Sequence, residues 1–79
     1  MRLNYEELKR LRIGKNISLQ EMAEAIGLQT AGGYSRIETG ENKLKAEHLP
    51  ILAQKFQMSI EELMARLFFE HYVEQSSTT

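Results

Sequence analysis

The stretch SLQEMAEAIGLQTAGGYSRIETG, residues 18–40, constrains the fold more than any other part of the chain. Ser18 precedes an apolar-periodic segment and Glu21 stands three residues later, which is the capping-box pattern that starts a helix. Gly27 ends that segment, and Thr30 can cap a second helix that ends at Gly40. The spacing therefore predicts two short amphipathic helices joined by a tight turn.

A first helix is predicted ahead of this pair. Asn4 precedes the segment YEELKRLRIG, and Glu7 lies three residues further on, which gives a cap of the same kind. Leu8 and Leu11 are three residues apart and form the inner face of this helix. Gly14 is its predicted C-terminal stop.

Two more helices follow a loop at residues 41–45. Helix 4 is predicted over residues 46–57, where Pro50 fits only in the first turn because a deeper proline removes a backbone hydrogen bond. Ser59 and Glu62 form a second capping box, which opens helix 5. The inward positions of helix 5 are Ile60, Leu63, Met64 and Leu67.

Composition favours a single all-α domain and disfavours several classes of protein. The 79 residues are rich in helix formers, and no stretch alternates apolar and polar residues as a strand does. With no cysteine, no membrane-length apolar run and no signal-like N-terminus, we expect a cytoplasmic protein without a membrane partner. Because the two histidines lie far apart and the chain has no aspartate, we expect no metal site and no cofactor. No catalytic pattern predicts an enzyme.

Charge is unevenly distributed along the chain, although the formal net charge is only -1. Residues 1–45 carry eight Lys or Arg against six Glu, whereas residues 46–79 carry two against five. This asymmetry permits a basic face on the first half and an acidic face on the second. Ordinary solvated charges give the same count, so charge alone does not establish a nucleic-acid partner.

In order and spacing, four segments resemble the Cro/C1-type (XRE-like) helix-turn-helix family of phage and bacterial repressors. They are LKRLR at 8–12, ISLQEMAEAIG at 17–27, YSRIETG at 34–40 and HLPILAQKFQMSIEELM at 48–64. The resemblance implies a compact five-helix, lambda-repressor-like DNA-binding domain over residues 1–67. It implies a transcriptional regulator that binds double-stranded operator DNA through helix 3 as a homodimer. It also implies a structural ion pair between Arg12 and Glu38.

The candidate DNA contacts lie on helix 3 and in the segments beside it. They are Gln29, Thr30, Ala31, Gly32, Gly33, Ser35, Arg36, Lys43 and Lys45. Arg36 is the leading base reader, since arginine to guanine O6 and N7 is the commonest specific contact; a phosphate clamp and a solvated charge are its alternatives. Lys43 and Lys45 suit phosphate contacts, which carry no sequence information. Tyr34 is expected in the core, with its hydroxyl reaching a phosphate.

Three features depart from the usual pattern of the family. The chain is one residue longer between Gly27 and Gly40, and Leu19 stands where a glutamine typically contacts a phosphate. Gln20 is adjacent to Leu19 but points about 100° further round helix 2, so it is not expected to replace that glutamine. The Ala-Gly-Gly sequence at residues 31–33 opens helix 3 without long side chains. Either the glycines allow the backbone to approach a phosphate, or this segment is a loose turn and helix 3 starts later.

The sequence RLFFEHYVEQ extends helix 5 with more apolar surface than a small core can cover. The extension is predicted over residues 68–75, followed by a flexible tail at 76–79. The favoured interpretation is a homodimer contact, and the alternative is packing back onto helix 1 or Tyr5. The candidate dimer residues are Phe68, Phe69, Tyr72 and Val73.

A second functional class stays open. The glycine pair, Leu19 and the net acidity favour a protein-interaction module or an antitoxin-like subunit, which would keep the fold, bind a protein partner and read DNA weakly. The ordered five-helix pattern, together with Arg36, Lys43 and Lys45, favours the DNA-binding regulator.

Overall fold

The computed structural model describes residues 3–68, which form five α-helices and one short 3-10 helix. The helices are α1 (Tyr5–Gly14), α2 (Leu19–Ala25), α3 (Ala31–Thr39), α4 (Leu49–Lys55) and α5 (Ile60–Phe68), with the 3-10 helix at Ala46–His48. Residues 3–68 contain no strand, and none of their helices is long and apolar enough to cross a membrane. The predicted all-α, five-helix fold is confirmed.

Side-chain caps start four of the α-helices where the sequence predicts them. Asn4, Ser18 and Thr30 each accept a hydrogen bond from the backbone N–H three residues further on, at 3.0–3.1 Å. Ser59 does the same for the N–H of Glu62 at 3.0 Å. Each cap satisfies a backbone donor that has no partner inside the helix, and such caps contribute about 1 kcal/mol. Local chemistry therefore sets where α1, α2, α3 and α5 begin.

Four helices are followed, within two residues, by a residue with positive φ, and two of these residues are not glycine. Gly27 (84°) and Gly40 (88°) follow α2 and α3, whereas Asn16 (62°) and Gln57 (58°) follow α1 and α4. After Asn16, Gly27 and Gln57, the next N–H donates back into the last helical turn at 2.8–3.1 Å, as in a Schellman motif. The prediction that helix 1 stops at Gly14 is confirmed, since Gly14 is the last residue of α1, but Asn16 and not the glycine has the positive φ of the turn.

The prediction of one continuous helix over residues 46–57 is wrong. Ala46–His48 form a 3-10 turn, and α4 begins at Leu49. Pro50 is then the second residue of α4, where its missing N–H removes no intrahelical hydrogen bond. The proline thus sits in the first turn, as the sequence required, because the α-helix itself starts late.

The core is built from apolar side chains of all five α-helices. The largest fully buried side chains are Tyr34, Phe56, Leu8, Met22, Leu52, Leu63 and Leu67. Burial of such a side chain contributes roughly 1.5–3 kcal/mol. Among the predicted inward positions of helix 5, Ile60 is wrong: it is 42% exposed, because it is the first residue of α5 and no neighbouring helix covers it there.

An ion pair between Arg12 and Glu38 joins α1 to α3. Arg12 Nε lies 2.7 Å from Glu38 Oε2, and Arg12 Nη2 lies 3.3 Å from Glu38 Oε1. The third guanidinium nitrogen donates to the carbonyl oxygen of Ile17 at 3.0 Å. The two side chains are only 11% and 6% exposed. This pair therefore ties α3 to α1 and to the loop that precedes α2.

Tyr34 is fully buried next to this ion pair. Its hydroxyl has no hydrogen-bond partner within residues 3–68. Burial raises the pKa of the Tyr34 hydroxyl well above its ordinary value, and the negative charge of Glu38 raises it further. The expectation that this hydroxyl reaches a phosphate is wrong, because the core encloses it.

Replacing Gln57 by glycine should stabilise the domain by about 0.5–1 kcal/mol, because glycine adopts the positive φ without a Cβ clash. Gln54→Gly, the same exchange three residues earlier inside α4, should destabilise it by roughly 0.5 kcal/mol. Urea unfolding of the two variants measures both effects. A Gln57→Gly variant that is less stable than the wild type would contradict the assignment.

Tyr34 should make the fold sensitive to alkali. In the unfolded chain its hydroxyl ionises near pH 10, whereas the folded pKa is higher. The stability is therefore complete below about pH 10 and falls as the pH rises above it, by up to about 1.4 kcal/mol per pH unit. Between about pH 8 and pH 11, Tyr34→Phe should lose less unfolding free energy than the wild type. Equal losses would show that Tyr34 ionises as easily folded as unfolded.

Candidate nucleic-acid interface

The helices α2 and α3 pack together across a turn that begins at Gly27. Met22 and Ala23 of α2 share one buried cluster with Tyr34 and Ile37 of α3. The N–H of Leu28 donates to the carbonyl of Ala23 at 2.8 Å and closes the turn. This geometry is the helix-turn-helix, in which the second helix enters the major groove of DNA.

The Ala-Gly-Gly segment belongs to α3 and is not a loose turn. Thr30 is the N-cap of α3, and its Oγ1 accepts the N–H of Gly33 at 3.1 Å. Because α3 begins at Ala31, the alternative in which helix 3 starts late is wrong. The two glycines therefore occupy the first turn of α3.

Gly32 and Gly33 face different surroundings. A Cβ placed on Gly33 would lie 3.5 Å from Leu28 Cδ1 and 3.6 Å from Thr30 Oγ1, so this position faces the turn. A Cβ placed on Gly32 would lie 3.6 Å from Nη1 of Arg36. Gly32 is exposed, and its neighbour on the outer surface is therefore the guanidinium of Arg36.

Most candidate contacts are at the surface of α3 and of the segments on either side. Gln29, Thr30, Gly32, Arg36, Lys43 and Lys45 are exposed, whereas Ala31, Gly33 and Ser35 are half-buried. Arg36 is the longest exposed side chain of α3. The outer surface of α3 therefore carries one long side chain, that of Arg36, and otherwise small residues.

Three exposed cations lie within ten residues of one another along the chain: Arg36, Lys43 and Lys45. None of them has a carboxylate within 4.0 Å in the described part of the chain. The loop between them is anchored, since Asn42 donates its N–H to the carbonyl of Arg36 at 3.0 Å and Lys45 donates its own to Nδ1 of His48 at 3.2 Å. Positive charge is therefore held next to α3 on an ordered loop.

The start of α2 differs from the usual pattern of the family for a structural reason. Leu19 is half-buried and packs against the core, so it is a packing residue. Gln20 is exposed, but its Nε2 donates to Oε2 of Glu24 at 3.1 Å. Leu19 therefore contributes to the packing of the core and offers no polar contact to a phosphate.

Sequence reasoning missed two ion pairs that brace the helices behind this surface. Glu7 is buried, and its carboxylate lies 2.9 Å from Arg10 and 3.4 Å from Arg66, so it links α1 to α5. Lys55 pairs with Glu21 at 2.9 Å and links α4 to α2. Neither link between helices has a local signal, because the partners are far apart in the sequence.

Of the candidate dimer residues, only Phe68 lies within the described residues. It is half-buried and packs on the core at the end of α5, where it lines an apolar groove of about 340 Å³. The other lining residues are Leu44, Lys45, Ala46, Leu49 and Met64. Phe69, Tyr72 and Val73, with the rest of the predicted extension and tail, lie outside the described residues.

Comparison with known proteins agrees with this geometry. A helix-turn-helix family model matches residues 8–63, which is most of the chain and includes the whole α2–turn–α3 unit. The match also contains Arg12 and Glu38. No curated protein and no solved structure matches significantly. The chain belongs to the Cro/C1-type (XRE-like) helix-turn-helix family of DNA-binding domains.

Proposed function

We propose that the protein is a sequence-specific, repressor-like transcriptional regulator that binds operator DNA through α3 as a homodimer. The observation that carries this proposal is the exposed Arg36 on α3, followed by Lys43 and Lys45 on an anchored loop. These three cations have no carboxylate within 4.0 Å among residues 3–68. Their charge is thus available to a ligand, and the family supplies the ligand class, double-stranded DNA.

The three cations have different roles in the proposed complex. Arg36 enters the major groove, where a guanidinium that donates to both O6 and N7 of guanine distinguishes base pairs. Lys43 and Lys45 contact phosphates, which set the register of α3 on the duplex but do not read sequence. Thr30 accepts the Gly33 N–H, and its own O–H remains available to donate to a phosphate. Gln29 precedes it on the same exposed edge.

Two copies of the chain are proposed to act together. One α3 reads one half-site, and the small number of cations gives little electrostatic affinity. Useful binding therefore needs two half-sites about 34–36 Å apart. Phe68 lies at the end of α5 beside the apolar groove, and the sequence continues with Phe69, Tyr72 and Val73. Apolar surface at this end of the domain suits a contact between two copies. We place the protein in the cytoplasm, with no enzymatic role.

One observation favours a second candidate function. The first turn of α3 carries no side chain longer than a methyl group, and Leu19 contributes packing where the family typically has a polar residue. A protein-interaction module, or an antitoxin-like subunit with a protein partner, requires the fold but does not require strong DNA reading. This candidate predicts binding to DNA with no preference among sequences.

Arg36→Ala and Lys43→Ala should weaken DNA binding in different ways. Arg36→Ala should lose discrimination at one base pair per half-site, at a cost of about 1–3 kcal/mol. Lys43→Ala should weaken binding to all sequences alike and reduce the salt slope of the affinity by about 1. Binding to genomic fragments, including the protein's own promoter, across a salt series measures both effects.

The same experiment separates the two candidate functions. If the wild type binds every fragment with equal affinity, the interaction module is favoured and the regulator is contradicted. If the wild type discriminates but Arg36→Ala keeps the same preferred site, Arg36 is a phosphate contact. Lys9→Ala, in the middle of α1, is a matched control, since it removes the same charge from an exposed position outside the proposed interface.

Removal of residues 68–79 should give a folded, mainly monomeric domain with much weaker operator binding. The buried cluster of the described residues ends at Leu67, so the shortened chain keeps that cluster. Sedimentation of both forms at tens of micromolar measures their assembly. A full chain that sediments as a monomer, or a shortened chain that still dimerises, would rule out this contact.

A further inference from the structure

We propose that Gly32 is a specificity-determining residue because it positions Arg36; the inference rests on the proposed DNA-binding function. Gly32 leaves the surface of the first turn of α3 bare, and the guanidinium of Arg36 lies on that bare surface. In this arrangement, one arginine supplies the hydrogen-bond donors for a turn that has no reading side chain of its own.

The contact follows from helix geometry. Residues four apart lie one above the other on a helix, and long side chains lean towards the helix N-terminus. The Nη1 atom of Arg36 is 3.6 Å from the point that a Cβ of Gly32 would occupy, which is ordinary van der Waals contact. A side chain with atoms beyond Cβ would therefore compete with the guanidinium for the same space.

Neither a positive φ nor crowding by a core side chain explains a glycine at residue 32. Gly27 and Gly40 have positive φ, whereas Gly32 does not, so its backbone conformation is open to any residue. Gly32 is exposed, so no core side chain needs the space, and a glycine inside a helix lowers its stability. The side chain of Arg36 is the neighbour that benefits from the missing Cβ, together with Thr30 Oγ1 at 3.9 Å.

The position of the guanidinium has a consequence for reading. Its donors lie about one helical turn nearer the N-terminus than the Cα of Arg36, and N-terminal residues of the second helix are those that contact base edges. Within residues 3–68 no carboxylate lies within 4.0 Å of it, so no salt bridge draws the guanidinium away from Gly32. Gly32 thus selects which base pair Arg36 reaches.

The test compares base preference for four variants of the full chain: Gly32→Ala, Gly32→Leu, Arg36→Ala and the Gly32→Leu/Arg36→Ala double variant. Randomised half-sites in duplex DNA provide the probe. Gly32→Leu should reduce discrimination roughly 5- to 100-fold at the base pair that Arg36→Ala also affects. Gly32→Ala should reduce it less, since its Cβ makes only ordinary contact. The double variant should match Arg36→Ala alone, because the leucine side chain acts through the arginine.

A stability measurement separates positioning from misfolding. Both Gly32 variants should unfold at the same or a higher urea concentration than the wild type, since alanine and leucine are better helix formers than glycine. If Gly32→Leu keeps the wild-type preference, or if its effect adds to that of Arg36→Ala, the inference is overturned while the proposed function stands. A wild type without any base preference overturns both.

Discussion

The ion pair between Arg12 and Glu38 is the constraint on which the rest of the structure depends. It makes two contacts between the side chains, and Arg12 makes a third to the carbonyl of Ile17, so α1, α3 and the loop before α2 are held as one unit. Loss of one partner from a buried pair typically costs about 3–5 kcal/mol, because the other charge is left without compensation. At the end of α3, Gly40 admits the ring of Tyr5, 3.1 Å from where a Cβ would be. The position of α3 is therefore set from behind, and its outer surface is left free of packing contacts.

Features set by local chemistry could be predicted from the sequence. Caps at Asn4, Ser18 and Thr30 depend on one side chain and an N–H three residues away, so the helix starts were predictable. The turns with positive φ at Asn16 and Gln57 were not, since neither residue is a glycine. The 3-10 turn before α4 was missed because the periodicity of apolar residues does not distinguish the two helix types.

The candidate site was predictable in composition but not in geometry. The sequence identified the glycines at the start of helix 3 and the cations after it. It could not show that Gly33 faces Leu28 while Gly32 lies under Arg36, because that difference depends on the direction of a flexible side chain. Nor could it show that Glu7 and Arg66 meet across 59 positions, since no short-range pattern encodes such a pair.

The central claim is that α3 and the loop after it form the DNA-binding surface. Amide chemical-shift mapping of the isotope-labelled chain, titrated with duplex DNA from its own promoter, tests this claim most directly. We expect the largest shifts over residues 29–36 and 43–45, and smaller shifts in α5, whose end is proposed to contact a second copy. Shifts confined to α1 or α5, or an α3 whose signals do not move at saturating DNA, would contradict it.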